Sequence, residues 1–131
     1  MIQMANSLTF SIPGRAKPCV RTTQKQKWVD KNYKEYEVYK SRIKENALGA
    51  MLQERVSQIT DPVGITASVF IKGKNRGDID NYCKSILDGI QATKRNPQGL
   101  IKNDRQVESI AVDLFSVEKE EDQRVEVTLW W

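Results

Sequence analysis

Val63-Gly64-Ile65-Thr66-Ala67-Ser68-Val69-Phe70-Ile71, then Lys72-Gly73-Lys74-Asn75-Arg76-Gly77, then Asp78-Ile79-Asp80-Asn81-Tyr82-Cys83-Lys84-Ser85-Ile86-Leu87-Asp88-Gly89-Ile90, is the stretch in which the chain changes period. Val63, Ile65, Ala67, Val69 and Ile71 occupy every second position. Successive side chains of a strand point to opposite faces, so this spacing predicts a strand with one buried face. Beyond the basic loop, Ile79, Cys83, Ile86, Leu87 and Ile90 recur at three- and four-residue intervals, which predicts a helix with Asp78 or Asp80 as its cap.

Working outward, Leu8, Phe10 and Ile12 alternate with polar residues before Pro13-Gly14, which predicts a first strand ended by a turn. Residues 15–31 carry Pro18 and many charges without a clean apolar period, so an extended, mobile arm or a weak hairpin is expected there. From about Asn32, Tyr36, Tyr39, Ile43, Ala47, Ala50 and Met51 give a long amphipathic helix, with Asp61-Pro62 as its stop. Lys94 to Asn103, with Pro97 and Gly99, reads as a loop leading to Asp104. Val107–Val117 and Val125–Leu129 read as two further strands joined by the acidic turn Glu118-Lys119-Glu120-Glu121-Asp122. The order β-α-β-α-β-β predicts an α+β fold with two helices packed on a small mixed sheet, as one domain over residues 1–131. Trp130-Trp131 at the end is expected in the core or a subunit contact, ahead of a role in base stacking.

With 131 residues and 39% apolar side chains, the chain is long enough to bury a core. It has no apolar run that spans a bilayer and no secretion signal at Met1-Ile2-Gln3-Met4-Ala5-Asn6, so a cytoplasmic location is expected. Cys19 and Cys83 are expected to be reduced thiols. The absence of histidine excludes Ser-His-Asp and Cys-His catalysis, histidine-based nucleases and the usual zinc sites. Carboxylates and lysine remain as candidate catalysts. Net charge is +4, but residues 15–44 hold ten Lys or Arg against three acids, and residues 104–126 hold eight acids against three bases. One basic surface facing a polyanion accounts for that polarity, as does a solvated basic helix face.

Against this background the carboxylates of Asp78, Asp80 and Asp104 form the candidate site. An Asp-x-Asp pair in an extended or capping segment turns both side chains the same way. Their oxygens suit magnesium, with manganese as a substitute, because these hard ions keep water positions open for a phosphate and a nucleophile. A calcium-binding EF-hand loop starting at Asp78 needs Gly at its sixth position and Glu at its twelfth, where Cys83 and Gly89 stand. No phosphate-binding P-loop motif is present, so no nucleotide cofactor is expected. Asp80, Lys84 and Asp88 are four residues apart on one helix ridge, where they can equally form a plain salt-bridge ladder. Asp88 is expected to orient Lys84 or to support the helix.

The run Arg76-Gly77-Asp78-Ile79-Asp80-Asn81-Tyr82-Cys83-Lys84-Ser85-Ile86-Leu87-Asp88-Gly89-Ile90, continued by Asn103-Asp104, resembles the signature of RusA-type Holliday-junction resolvases. The opening strand ending in Pro-Gly, the basic arm, the long helix and a terminal hairpin resemble that family as well. The resemblance implies a RusA-like fold in a homodimeric, magnesium-dependent endonuclease that cuts four-way DNA junctions, often encoded by phages or prophages. It places Asp78, Asp80 and Asp104 at the essential acidic positions and Lys84 at the catalytic lysine, with Asn81, Asp88 and Asn103 as supporting residues. Some members carry Asp-Asp where this chain has Asn103-Asp104. DNA phosphates are expected to meet Arg15, Lys17, Arg21, Lys25, Lys27, Lys72, Lys74 and Arg76. Two other readings fit the same residues: a non-catalytic protein that binds branched or single-stranded DNA, and a nuclease preferring flaps or forks.

Overall fold

The structure, a computed structural model, describes residues 6–20, 31–74 and 76–131. Its elements are β1 (Ser7–Pro13), α1 (Lys31–Glu54), β2 (Val63–Lys72), α2 (Ile79–Ile90), β3 (Val107–Val117) and β4 (Arg124–Trp130), with 3-10 turns at Asp104–Gln106 and Glu120–Asp122. This is the expected α+β order. The strands form one mixed sheet in the order β1-β4-β2-β3, in which β4 runs antiparallel to both β1 and β2, and β3 runs parallel to β2.

One face of the sheet is apolar across β1, β4 and β2. Leu8, Phe10 and Ile12 of β1, Val125, Val127 and Leu129 of β4, and the odd-numbered residues of β2 from Val63 to Ile71 are all buried. The register lines them up in rows such as Phe10, Val127, Ala67 and Val112, one residue from each strand. Each fully buried aliphatic side chain in such a row contributes about 1.5–3 kcal/mol. Both helices lie over these rows, α1 burying Tyr36, Tyr39, Ile43, Ala47 and Met51. The opposite face stays open, with Phe115 stacked on Phe70 at 5.1 Å and the Arg124 guanidinium over the Phe70 ring.

Three expectations are corrected. First, α1 ends at Glu54, well before Asp61-Pro62. Arg55 adopts a left-handed conformation (φ 57°), and Val56 N–H donates to the Met51 carbonyl, so the turn is closed locally without the proline. Second, β3 and β4 are not hairpin partners, because β2 lies between them. The acidic turn instead crosses the end of β2, where Gln123 Oε1 accepts from the Lys72 N–H at 3.1 Å. Third, the buried face of α2 is Tyr82, Ser85, Ile86, Gly89 and Ile90, while Ile79 is exposed and Cys83 and Leu87 are half-buried. The helix is rotated this way because it needs its smallest residue against α1: a Cβ on Gly89 would stand 2.6 Å from Cβ and Cγ2 of Ile43.

Trp131 packs against the core and exchanges two backbone hydrogen bonds with Asn6, whereas Trp130 is exposed. Among the described residues no helix is long and apolar enough to cross a membrane. Cys19 and Cys83 are free thiols.

Gly89→Ala tests the helix packing. Alanine favours a helix interior by roughly 0.5–1 kcal/mol over glycine, but its methyl meets the branched carbon of Ile43, and overpacking of this kind costs about 1–3 kcal/mol. Urea unfolding of Gly89→Ala is expected to show a lower midpoint than the parent, and a higher one would contradict the packing described.

Candidate active site and nucleic-acid interface

The start of α2 is fixed from below and from the side. Tyr82 is buried, and its hydroxyl accepts the Gly77 N–H at 2.9 Å, which sets the backbone immediately before Asp78. Residues 14–20 form a strap from the end of β1 to this point, with the Cys19 N–H donating to the Asn81 carbonyl. Gly77 lets the strap come close, since a Cβ there would stand 2.8 Å from two carbons of Pro18. Asp78 is the N-cap residue, in extended conformation, but its side chain makes no capping hydrogen bond. Its carboxylate is therefore left for something other than the helix. Asp80 follows in the first turn, and both residues are exposed.

Lys84 lies one turn further along α2 and is exposed. Among the described residues no ion pair joins it to Asp80 or Asp88, so the salt-bridge ladder is not formed. Asp88 accepts a hydrogen bond from the Tyr36 hydroxyl at 2.8 Å and so links α2 to α1. Burial, together with hydrogen bonds to Cys19 and Asp88, holds the Tyr36 hydroxyl well above the ordinary tyrosine pKa, which keeps it a donor. Burial and then the Asp80 charge push the Cys83 thiol up, so this cysteine stays protonated beside the site.

Asp104 is placed elsewhere. Its backbone N–H donates to Gln91 Oε1 at 3.3 Å, and Gln91 is the C-cap of α2, whereas Asp78 and Asp80 stand at the N-terminal start. A helix of this length puts about 18 Å between its ends at 1.5 Å per residue. Among the described residues no group of three or more carboxylates or thiols is gathered closely enough to hold a metal ion. Asp78 and Asp80 do supply the hard oxygen donors that magnesium takes, commonly through one or two carboxylates. Asp104 does not join them within one chain. Asn103 caps the Asp104–Gln106 turn, accepting from the Arg105 N–H while Gln106 Oε1 accepts from the Asn103 N–H.

Of the expected DNA-binding cations, Lys72, Lys74 and Arg76 are exposed around the loop that enters α2. Lys74, Arg76, Gly77, Asp78 and Ile79 line an open recess of about 590 Å³, which Asp113 and Leu114 of β3 complete. Asp113 was not legible as a site residue, because an acid at an alternating strand position reads as ordinary solvent-facing polarity. Arg15 is engaged in the fold, donating to the Lys72 carbonyl at 2.7 Å and to Gln123 Oε1 at 2.9 Å. Lys17 pairs with Glu35 at 2.7 Å, and that contact lowers the Glu35 pKa. A second basic recess, about 290 Å³, gathers Arg15, Lys17, Lys31, Lys34 and Arg42 around Val38 and Tyr39. Lys31, Lys34 and Arg42 line this recess beside the expected Arg15 and Lys17, and the charge excess over residues 15–44 was their signal. Arg21, Lys25 and Lys27 lie outside the described residues.

The family model described as Endodeoxyribonuclease RusA matches residues 10–130, nearly the whole chain. Among curated proteins none matches.

Tyr36→Phe isolates the contact made by Asp88. The variant loses one hydrogen bond and leaves a half-buried carboxylate without that donor, so a loss of about 1–3 kcal/mol in folding stability is expected by chemical denaturation. If Tyr36→Phe unfolds at the parent's denaturant concentration, Asp88 does not anchor the two helices.

Proposed function

Because the chain belongs to the RusA endodeoxyribonuclease family, we propose that it is a magnesium-dependent, homodimeric, cytoplasmic enzyme that resolves four-way (Holliday) junctions by paired symmetric nicks. Its setting is DNA recombination and repair, in a phage or prophage context. The observation that carries this reading is the Asp78 and Asp80 pair at the start of α2, uncapped and exposed, directly below the Lys72, Lys74 and Arg76 loop and one turn before Lys84.

The residues divide the work. Lys72, Lys74 and Arg76 draw the phosphate backbone toward carboxylates that on their own repel it. Asp78 and Asp80 are acceptors only and would hold the cation that reconciles those charges. Magnesium, when bound, polarises the scissile phosphate and lowers the pKa of a water molecule. Lys84 presents an ammonium group unpaired with Asp80 or Asp88, which balances the negative charge that grows on the phosphate oxygens during in-line attack by water. Loss of the 3′ oxygen leaves 5′ phosphate and 3′ hydroxyl ends. A four-way junction has approximate twofold symmetry, and a C2 dimer presents two related sites to it.

A labelled synthetic junction incubated with magnesium is expected to yield paired nicks, and EDTA to abolish them. A protein that binds the junction tightly but never nicks it would be the non-catalytic binder instead. Parallel flap and fork substrates separate the remaining alternative. Lys84→Ala is expected to slow cleavage about 100- to 1000-fold, the usual effect of deleting one preorganised donor, with junction affinity nearly unchanged. Cleavage at the parent rate would remove Lys84 from the chemistry.

Asp78→Asn is expected to give a different signature. Removing one negative charge beside the basic loop preserves or tightens junction binding, while cutting disappears. Binding should also weaken with salt by a log-log slope of about 0.9 for each phosphate neutralised, and a slope near zero in a titration against potassium chloride would exclude the basic loop as a DNA contact.

A further inference from the structure

The close contact of α1 with α2 at Gly89 is flanked by a recess that the nuclease reading leaves unused. Its volume is about 300 Å³, and its walls come from α1, from Asp88 and Gly89 of α2, and from the loop that follows α2. Charge on those walls is unevenly satisfied. Glu37 Oε1 pairs with Lys40 Nζ at 2.8 Å, and the same carboxylate accepts the Tyr33 hydroxyl. Lys40 also lies over the Tyr36 ring, 4.8 Å from its centroid. Asp88 accepts from the Tyr36 hydroxyl. Both acids of the recess are thus already engaged.

The other cations are not. Among the described residues, Lys44 and Arg95 make no ion pair and no side-chain hydrogen bond. Lys44 is half-buried, and burial, then the charge of Lys40, lowers its pKa. An ammonium group drawn out of water beside a like charge is destabilised until an anion joins it. Arg95 comes from the loop, close enough to α1 for its charge to be felt at Tyr33. Asn96 adds an uncharged donor: its Oδ1 accepts the Gln98 N–H at 3.1 Å, and its Nδ2 has no partner among the described residues. An ammonium, a guanidinium and an amide converging on one recess suit a phosphate, whose oxygens accept from all three.

The position of the recess says which phosphate. Asp80, Lys84 and Asp88 share one ridge of α2, and Asp88 lines the recess, so the recess opens one turn beyond Lys84. Asp80 and Asp88 are separated by about 12 Å at 1.5 Å per residue, which matches about three or four steps of a DNA strand at roughly 3.4 Å each. A strand laid along that ridge passes from the carboxylates to the recess without leaving the helix surface.

We propose that this recess is a second phosphate-binding site, in which Lys44, Arg95 and Asn96 hold a backbone phosphate of the substrate strand about three or four nucleotides from the one at Asp78 and Asp80. The identity of that strand rests on the nuclease reading above. The site fixes the register of the strand, so that one phosphate rather than its neighbour faces Lys84.

The test pairs a change in the protein with a change in the DNA. Four-way junctions are made with a single uncharged methylphosphonate, moved one phosphate at a time through about six nucleotides on each side of the branch point. Binding is measured by fluorescence anisotropy in EDTA, where nothing is cut. The parent is expected to lose about tenfold in affinity when the methylphosphonate reaches the recess. The double variant Lys44→Gln, Arg95→Gln is expected to lose nothing further at that position, and its log-log slope against potassium chloride to be shallower by about 0.9. The charge-keeping pair Lys44→Arg, Arg95→Lys is expected to retain the parent's slope. A double variant with the parent's slope and the parent's methylphosphonate pattern overturns the recess as a DNA contact, as does a site reserved for free phosphate ion, which predicts no position where the two proteins differ. Paired nicks by the parent in magnesium would then leave the nuclease reading standing. A parent that shows the expected binding pattern but never nicks overturns the nuclease reading and supports the recess.

Discussion

The parallel pairing of β2 with β3 is the constraint from which the rest of the molecule follows. Antiparallel neighbours can be joined by a tight turn, but parallel ones require the chain to travel the length of the sheet and return. The return here is α2, which must lie on the apolar face and therefore against α1. Once that path is imposed, the start of α2 falls beside the exit of β2 and its end beside the entry to β3. Both ends carry acidic residues, and the helix length keeps them apart.

Small side chains and buried hydroxyls make the path possible. Gly89 lets α2 approach Ile43, and Gly77 lets the strap reach Asp78. The Tyr82 hydroxyl satisfies the Gly77 N–H, and the Tyr36 hydroxyl satisfies Asp88. Each of these buried polar groups would be costly if left unpaired. They hold the Asp78 and Asp80 backbone without using either carboxylate, so the support of the site and its chemistry rest on different atoms.

Much of this was legible in the sequence where periodicity was clean. The alternations of Leu8 to Ile12 and of Val63 to Ile71, the spacings of Tyr36 to Met51 and of Ile79 to Ile90, and the two late apolar runs gave every strand and α-helix. Three features escaped for identifiable reasons. Alternation reports which face of a strand is buried but not which neighbour it pairs with, so β3 and β4 read as a hairpin. Tyr82, Ser85 and Gly89 do not count as apolar, so the buried face of α2 was read around the exposed Ile79. Asp104 was grouped with Asp78 and Asp80 because a motif records order along the chain and carries no information on separation in space. The basic loop, the Asp-x-Asp-Asn run and Lys84 were legible because they are contiguous.

Gln123 shows how much can hang on one uncharged group. Its side-chain oxygen receives both the Arg15 guanidinium and the Lys72 amide, and its own carbonyl receives the Gly14 amide. Two distant segments, residues 14–15 and the end of β2, thus share a single pin. Glutamate at that position retains the side-chain lone pairs involved, whereas the ammonium of lysine matches the reach but offers none, so tolerance there is governed by electron pairs rather than by size or hydropathy.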